Sequence, residues 1–66
     1  MNEIKQITRR EANQIIEKRE PRGLFYLPET GFCVGIDNST GDAWVEDFDN
    51  KKDCLNWLNG KEVNAV

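Results

Sequence analysis

The spacing of apolar and polar positions changes twice along the chain, and each change marks a boundary between elements. From Thr8 onward, Ala12, Ile15 and Ile16 fall at i, i+3 and i+4 among charged neighbours, the spacing of one narrow helix face. Thr8-Arg9-Arg10-Glu11 has the form of a capping box, in which the hydroxyl and the carboxylate satisfy amides left unpaired at a helix start. Proline disfavours helical backbone in the residue ahead of it, so the helix is predicted to stop before Pro21, with Gly23 supporting the break.

Three short strands are predicted next, Leu24 to Leu27, Phe32 to Asp37 and Asp42 to Phe48. The loops between them, Pro28-Glu29-Thr30-Gly31 and Asn38-Ser39-Thr40-Gly41, each end in a glycine that suits a positive φ after a type I turn. With Leu27 set against Phe32 and Asp37 against Asp42, the side chains of Phe25, Leu27, Phe32, Val34, Ile36, Ala43 and Val45 share one face, the predicted core. Asp49 or Asn50 caps a final helix whose apolar positions are Cys54, Leu55, Trp57 and Leu58, and Gly60 is its predicted terminator. The expected fold is α+β, a three-stranded antiparallel β-meander flanked by an N-terminal and a C-terminal helix (α-β-β-β-α). Both helices are expected on the apolar face, making two layers. Residues 1–66 are read as one domain with an ordered core over about 7–60 and a frayed tail over 61–66.

The same register sends Leu24, Tyr26, Cys33, Gly35, Trp44 and Glu46 to the opposite side, with Trp44 across from Gly35. Two helices of modest length do not easily cover both faces, and a large exposed apolar patch often marks a binding site. Leu24, Tyr26, Trp44 and Glu46 are therefore the candidate binding residues. The alternative is that Trp44 shields the backbone at Gly35 while Tyr26 packs beside it. Trp57, at helical spacing with Leu58, is assigned to the core.

Composition narrows the function classes. At 66 residues and 38% hydrophobic content the chain has room for one small core, so dimerisation or a partner would add to its stability. It has no histidine, the side chain used most for proton transfer near neutral pH and for zinc, and this argues against an enzyme. No apolar run approaches the roughly 20 residues that cross a bilayer, and Met1-Asn2-Glu3-Ile4-Lys5-Gln6 has no apolar signal core, so a cytoplasmic location is expected. Cys33 and Cys54 are then expected to be thiols. Residues 1–22 carry six basic and four acidic side chains, whereas residues 23–66 carry three basic and eight acidic ones. That second-half charge disfavours direct nucleic-acid binding, which depends on neutralising phosphates.

Leu27-Pro28-Glu29-Thr30-Gly31 matches the sortase recognition pattern Leu-Pro-x-Thr-Gly, but no long apolar span and basic tail follow, and hairpin-turn chemistry accounts for the same letters. Asn38-Ser39-Thr40 fits an N-glycosylation acceptor, which matters only on secretion. Asp37, Asp42, Glu46, Asp47, Asp49 and Asp53 form an acidic run whose spacing departs from the EF-hand loop, and turn and cap roles explain it better than a metal. Two cysteines without histidine fall short of the roughly four ligands of structural zinc. No cofactor is expected.

The stretch Gly35-Ile36-Asp37-Asn38-Ser39-Thr40-Gly41-Asp42-Ala43-Trp44-Val45-Glu46-Asp47-Phe48, with the later Cys54-Leu55-Asn56-Trp57-Leu58, resembles small uncharacterised proteins encoded by phages and prophages of Gram-positive bacteria. The resemblance covers most of residues 8–58 and implies a small intracellular accessory protein, with no reaction and no functional residues carried over. The expected function is a non-catalytic module that binds a protein partner, or itself, through the Tyr26/Trp44 face. The alternative is an acidic inhibitor that occupies a nucleic-acid-binding surface of a host protein through Asp37, Asp42, Glu46, Asp47 and Asp49.

Overall fold

The capping box forms as its residues require. Glu11 N–H donates to the Thr8 hydroxyl (3.2 Å), and Thr8 N–H donates to the Glu11 carboxylate (2.9 Å). In the computed structural model, which describes residues 4–63, this box starts helix α1 (Arg9–Lys18). The helix ends at Arg19, whose φ of 60° lies in the left-handed region that side chains with a Cβ seldom occupy. Arg19 N–H donates to Ile15 O (2.7 Å), and its guanidinium donates to the Asp42 carbonyl (3.2 Å), tying the strained residue to a loop far along the chain.

A strand precedes this helix. β1 (Ile4–Gln6) pairs in parallel with β2 (Leu24–Glu29), Ile4 opposite Leu24, and α1 is the crossover that parallel pairing demands. β3 (Phe32–Asp37) and β4 (Trp44–Phe48) follow antiparallel, giving a four-stranded mixed sheet in the order β1-β2-β3-β4 rather than the expected three-stranded meander. Both hairpin registers differ from the expected ones by two residues. Glu29 pairs with Phe32 around Thr30-Gly31, and Asp37 pairs with Trp44 around a longer loop. Because side chains alternate with a period of two, an even shift leaves every residue on its predicted face.

The helices take opposite faces, which corrects the expectation of two layers to three. Ala12 and Ile15 of α1 pack with Ile7 onto Phe25, Leu27, Val34 and Ile36. Cys54 and Leu58 of α2 (Lys51–Val63) pack onto Leu24 and Cys33, with Ile4, Tyr26, Phe48, Leu55 and Trp57 around them. The reason lies in the strands. Leu24-Phe25-Tyr26-Leu27 and Phe32-Cys33-Val34-Gly35-Ile36 are unbroken apolar runs, and such strands need cover on both sides. Gly35 lets α2 come close, since a Cβ there would stand 3.1 Å from both Cys54 Sγ and the Trp57 ring. The buried residues under α1 include none from β4, so Phe32 and Val45, expected in the core, are 38% and 42% exposed. Ala43, also expected there, is half-buried in the loop before β4 with a φ of 53°. Helix α2 runs on through Gly60, the expected terminator, to Val63, and the rest of the expected tail, 64–66, lies outside the described residues.

The loop between β3 and β4 is organised by Asn38, which is fully buried. Its backbone exchanges both hydrogen bonds with Gly23 (3.2 and 2.8 Å). Its side-chain Nδ2 donates to Pro21 O (2.8 Å), and its Oδ1 accepts from Ala43 N–H (3.0 Å). One side chain thus joins the segment leading into β2 to the segment leading into β4. No described helix is long and apolar enough to cross a membrane.

Candidate binding surface

The four residues proposed from sequence do not form one open face, because α2 covers most of it. Leu24 is 1% exposed, buried against Cys33, Cys54 and Leu58, and it cannot meet a partner. Tyr26 is half-buried; its hydroxyl donates to Gln6 Oε1 (3.3 Å) and Lys51 Nζ sits 5.2 Å from its ring centroid. Trp44 does not shield Gly35 either, since it pairs with Asp37, and Trp57 occupies that place while stacking at 45° against Phe48. What remains is Trp44, 63% exposed, and Glu46, exposed beside it on β4.

Exposed apolar groups absent from the sequence-based candidates join them. Val45 and Phe32 lie on the α1 side of the sheet beyond the reach of that helix, and Ile16, 41% exposed, lies one turn before the Arg19 that reaches the loop leading into β4. Val45 and Trp44 point to opposite sides of β4, so this strand presents apolar surface on both. The signal that could have found this surface is the ten-residue length of α1 against a sheet of four strands.

β4 is also an edge, with β3 on one side and, among the described residues, no strand on the other. Which backbone groups face outward follows from the register. Gly23 and Asn38 exchange both hydrogen bonds, so alternation makes Phe25–Ile36 and Leu27–Val34 the bonded pairs of β2 and β3. The backbone groups of Cys33, Gly35 and Asp37 then turn to β4 and engage Phe48, Glu46 and Trp44. Val45 and Asp47 are left with their N–H and C=O groups directed away from the sheet.

The segment that forms this edge carries charge of one sign, although Arg19 and Arg22 reach the loop that leads into it. Between Gly23 and Asn50 there is no lysine or arginine, while Glu29, Asp37, Asp42, Glu46, Asp47 and Asp49 are all acidic. Several of these carboxylates have local work. Glu29 pairs with Arg9, Asp37 accepts from the Ser39 amide and hydroxyl (3.1 and 2.7 Å), and Asp42 accepts from the Thr40 hydroxyl (2.8 Å). The side chains of Glu46, Asp47 and Asp49 make no hydrogen bond or ion pair with another described residue.

Other candidate chemistry finds turn and packing roles. Asn50 Oδ1 accepts from Asp53 N–H (2.8 Å), an N-terminal cap on α2. Among the described residues no three His, Cys, Asp or Glu side chains converge as a metal site requires. Leu27-Pro28-Glu29-Thr30-Gly31 closes the β2–β3 hairpin, with Leu27 buried and Pro28 opposite Cys33. Cys33 and Cys54 are buried free thiols in one cluster. Burial, then a hydrogen bond with Cys33 and that group's charge when ionised, pushes the Cys54 thiol up to about 12, so it stays protonated and a poor nucleophile near neutral pH. A cleft of about 280 Å³ between α1 and β1 is lined in part by Lys5, Glu11, Gln14 and Glu20, a mixed-charge rim with no convergent set of groups.

No protein-family model matches the chain, and no curated protein or solved structure shows a significant match.

Proposed function

We propose that this chain is a non-catalytic protein-binding module whose contact surface is β4 together with the neighbouring Phe32 and Ile16. The observation that carries the reading is the exposure of large apolar side chains: among the described residues Trp44 and Val45 lie exposed on the two faces of β4, Phe32 on the adjacent β3 and Ile16 on α1, whereas the other large apolar side chains are buried or half-buried. Tryptophan is the side chain most enriched among residues that dominate binding energy, and depletion of cover around it is what a contact surface needs. On this reading it is a small accessory protein working in the cytosol, of the phage-encoded kind its sequence resembles.

The test compares wild-type protein with Trp44→Ser/Phe32→Ser as bait in lysate of the source cells, after thermal melting has established that both are folded. Proteins held by wild type and lost by the double variant are expected. An identical set of captured proteins refutes the reading.

A second reading has its own observation, the absence of basic residues from Gly23 to Asn50. An acidic inhibitor occupying a host nucleic-acid-binding surface would lose its partner as salt is raised, because exposed charges are screened within about 8–10 Å at moderate ionic strength. Binding retained in salt but lost with Trp44 and Phe32 favours the apolar contact.

A further inference from the structure

From the edge geometry we infer that β4 takes an extended, cationic segment of another protein as a fifth strand of the sheet. This rests on the protein-binding reading above and adds the chemistry of the partner. Val45 and Asp47 offer their outward N–H and C=O groups as a ladder, and an added strand satisfies them while its alternate side chains meet the two faces. Antiparallel pairing is the more stable arrangement. It sets the incoming residues, in order, against Asp47, Glu46, Val45 and Trp44. The first two positions face carboxylates with no partner among the described residues, and the last two face exposed apolar side chains. The matching sequence is two basic residues followed by two apolar ones.

A second copy of this chain is the poorer occupant. The antiparallel β4–β4 register that uses both outward-facing residues sets Val45 against Asp47 and Glu46 against the same residue of the other copy. That central pair is of the non-hydrogen-bonded type, where side chains come closest, and directly opposed like charges destabilise a sheet. The edge is guarded against itself by the charges that would attract a basic strand.

The probe is a blocked six-residue peptide, Thr-Lys-Arg-Val-Ile-Thr, with Thr-Glu-Asp-Val-Ile-Thr as its charge-reversed control. Amide exchange of the full chain is followed by NMR with each peptide in excess. The cationic peptide is expected to slow exchange at Val45 and Asp47, with little effect from the acidic one. Glu46→Lys/Asp47→Lys is expected to weaken the cationic peptide roughly tenfold and to gain the acidic one. Val45→Pro removes one outward amide without touching a bond to β3 and should weaken the peptide while leaving the fold melting cooperatively.

Binding of both peptides alike, or binding that leaves the Val45 and Asp47 amides unprotected, overturns strand addition. So does failure of the cationic peptide to bind at millimolar concentration. If partners are still lost with Trp44→Ser/Phe32→Ser in that case, the protein-binding reading stands and only its strand-addition form falls.

Discussion

Replacing Asn38 with alanine should remove a large part of the domain's stability, although Asn38 sits in a loop. The side chain is fully buried and makes two hydrogen bonds, to Pro21 O at 2.8 Å and from Ala43 N–H at 3.0 Å. Truncation orphans both backbone groups, and each buried unsatisfied group costs about 1–3 kcal/mol. Pro21 is itself exposed, so water recovers part of the first loss, and the expected total is about 2–4 kcal/mol. A chain of this length has only about 3–10 kcal/mol to lose. Urea unfolding followed by circular dichroism gives the number, and a change below about 0.5 kcal/mol, the range of an ordinary surface substitution, refutes the reasoning. Asn38→Asp sharpens the test. It keeps the acceptor for Ala43 but sets a carboxylate oxygen against the Pro21 carbonyl, and burial with facing lone pairs raises its pKa above the usual 3.9 or so. The folded state then holds a proton that the unfolded state releases, so this variant alone should regain stability relative to wild type as the pH falls, when the protonated acid again donates to Pro21.

Two further outcomes follow from the packing. Gly35→Ala places a Cβ 3.1 Å from Cys54 Sγ and from Trp57, and overpacking of this kind should cost about 1–3 kcal/mol in the same urea assay. The Cys54 thiol is raised from 9.0 to about 12 by burial and by Cys33, so the folded state holds its proton more tightly than the unfolded chain. The stability this confers is complete below about pH 9 and is lost as the pH climbs toward the raised value. Alkaline unfolding should therefore begin earlier in wild type than in Cys54→Ala, once each is referred to its own stability at pH 7.

Much of this was legible in the residues. The Thr8/Glu11 box and the strand faces follow from local spacing, and the faces survive a two-residue error in both hairpins because only parity matters. The strand β1 was not legible. Ile4-Lys5-Gln6 is too short to show a period, and its partner lies beyond a helix. Nor does local spacing say on which side of a sheet a helix will settle. The two unbroken apolar runs of β2 and β3 did carry that information, since a strand covered on one face alternates and these do not. Asn38 looks like any turn asparagine, and only the return of the chain through Pro21 and Gly23 buries it. At the candidate surface, Trp44 and Glu46 were found by alternation, whereas Leu24 was lost to α2 and Val45 and Phe32 were gained because α1 stops short of them.

The parallel pairing of β1 also sets an order of assembly. Each hairpin closes over a short loop, but Ile4 must find Leu24 twenty residues away, and that closure becomes cheap only after α1 has formed and spans the gap. Contacts of long sequence separation form late, and a three-residue strand with little buried surface, such as β1, opens readily. The domain should therefore fold from its hairpins outward. The amide of Ile7, bonded to Tyr26 across this seam, is the place to watch for the earliest exchange with solvent.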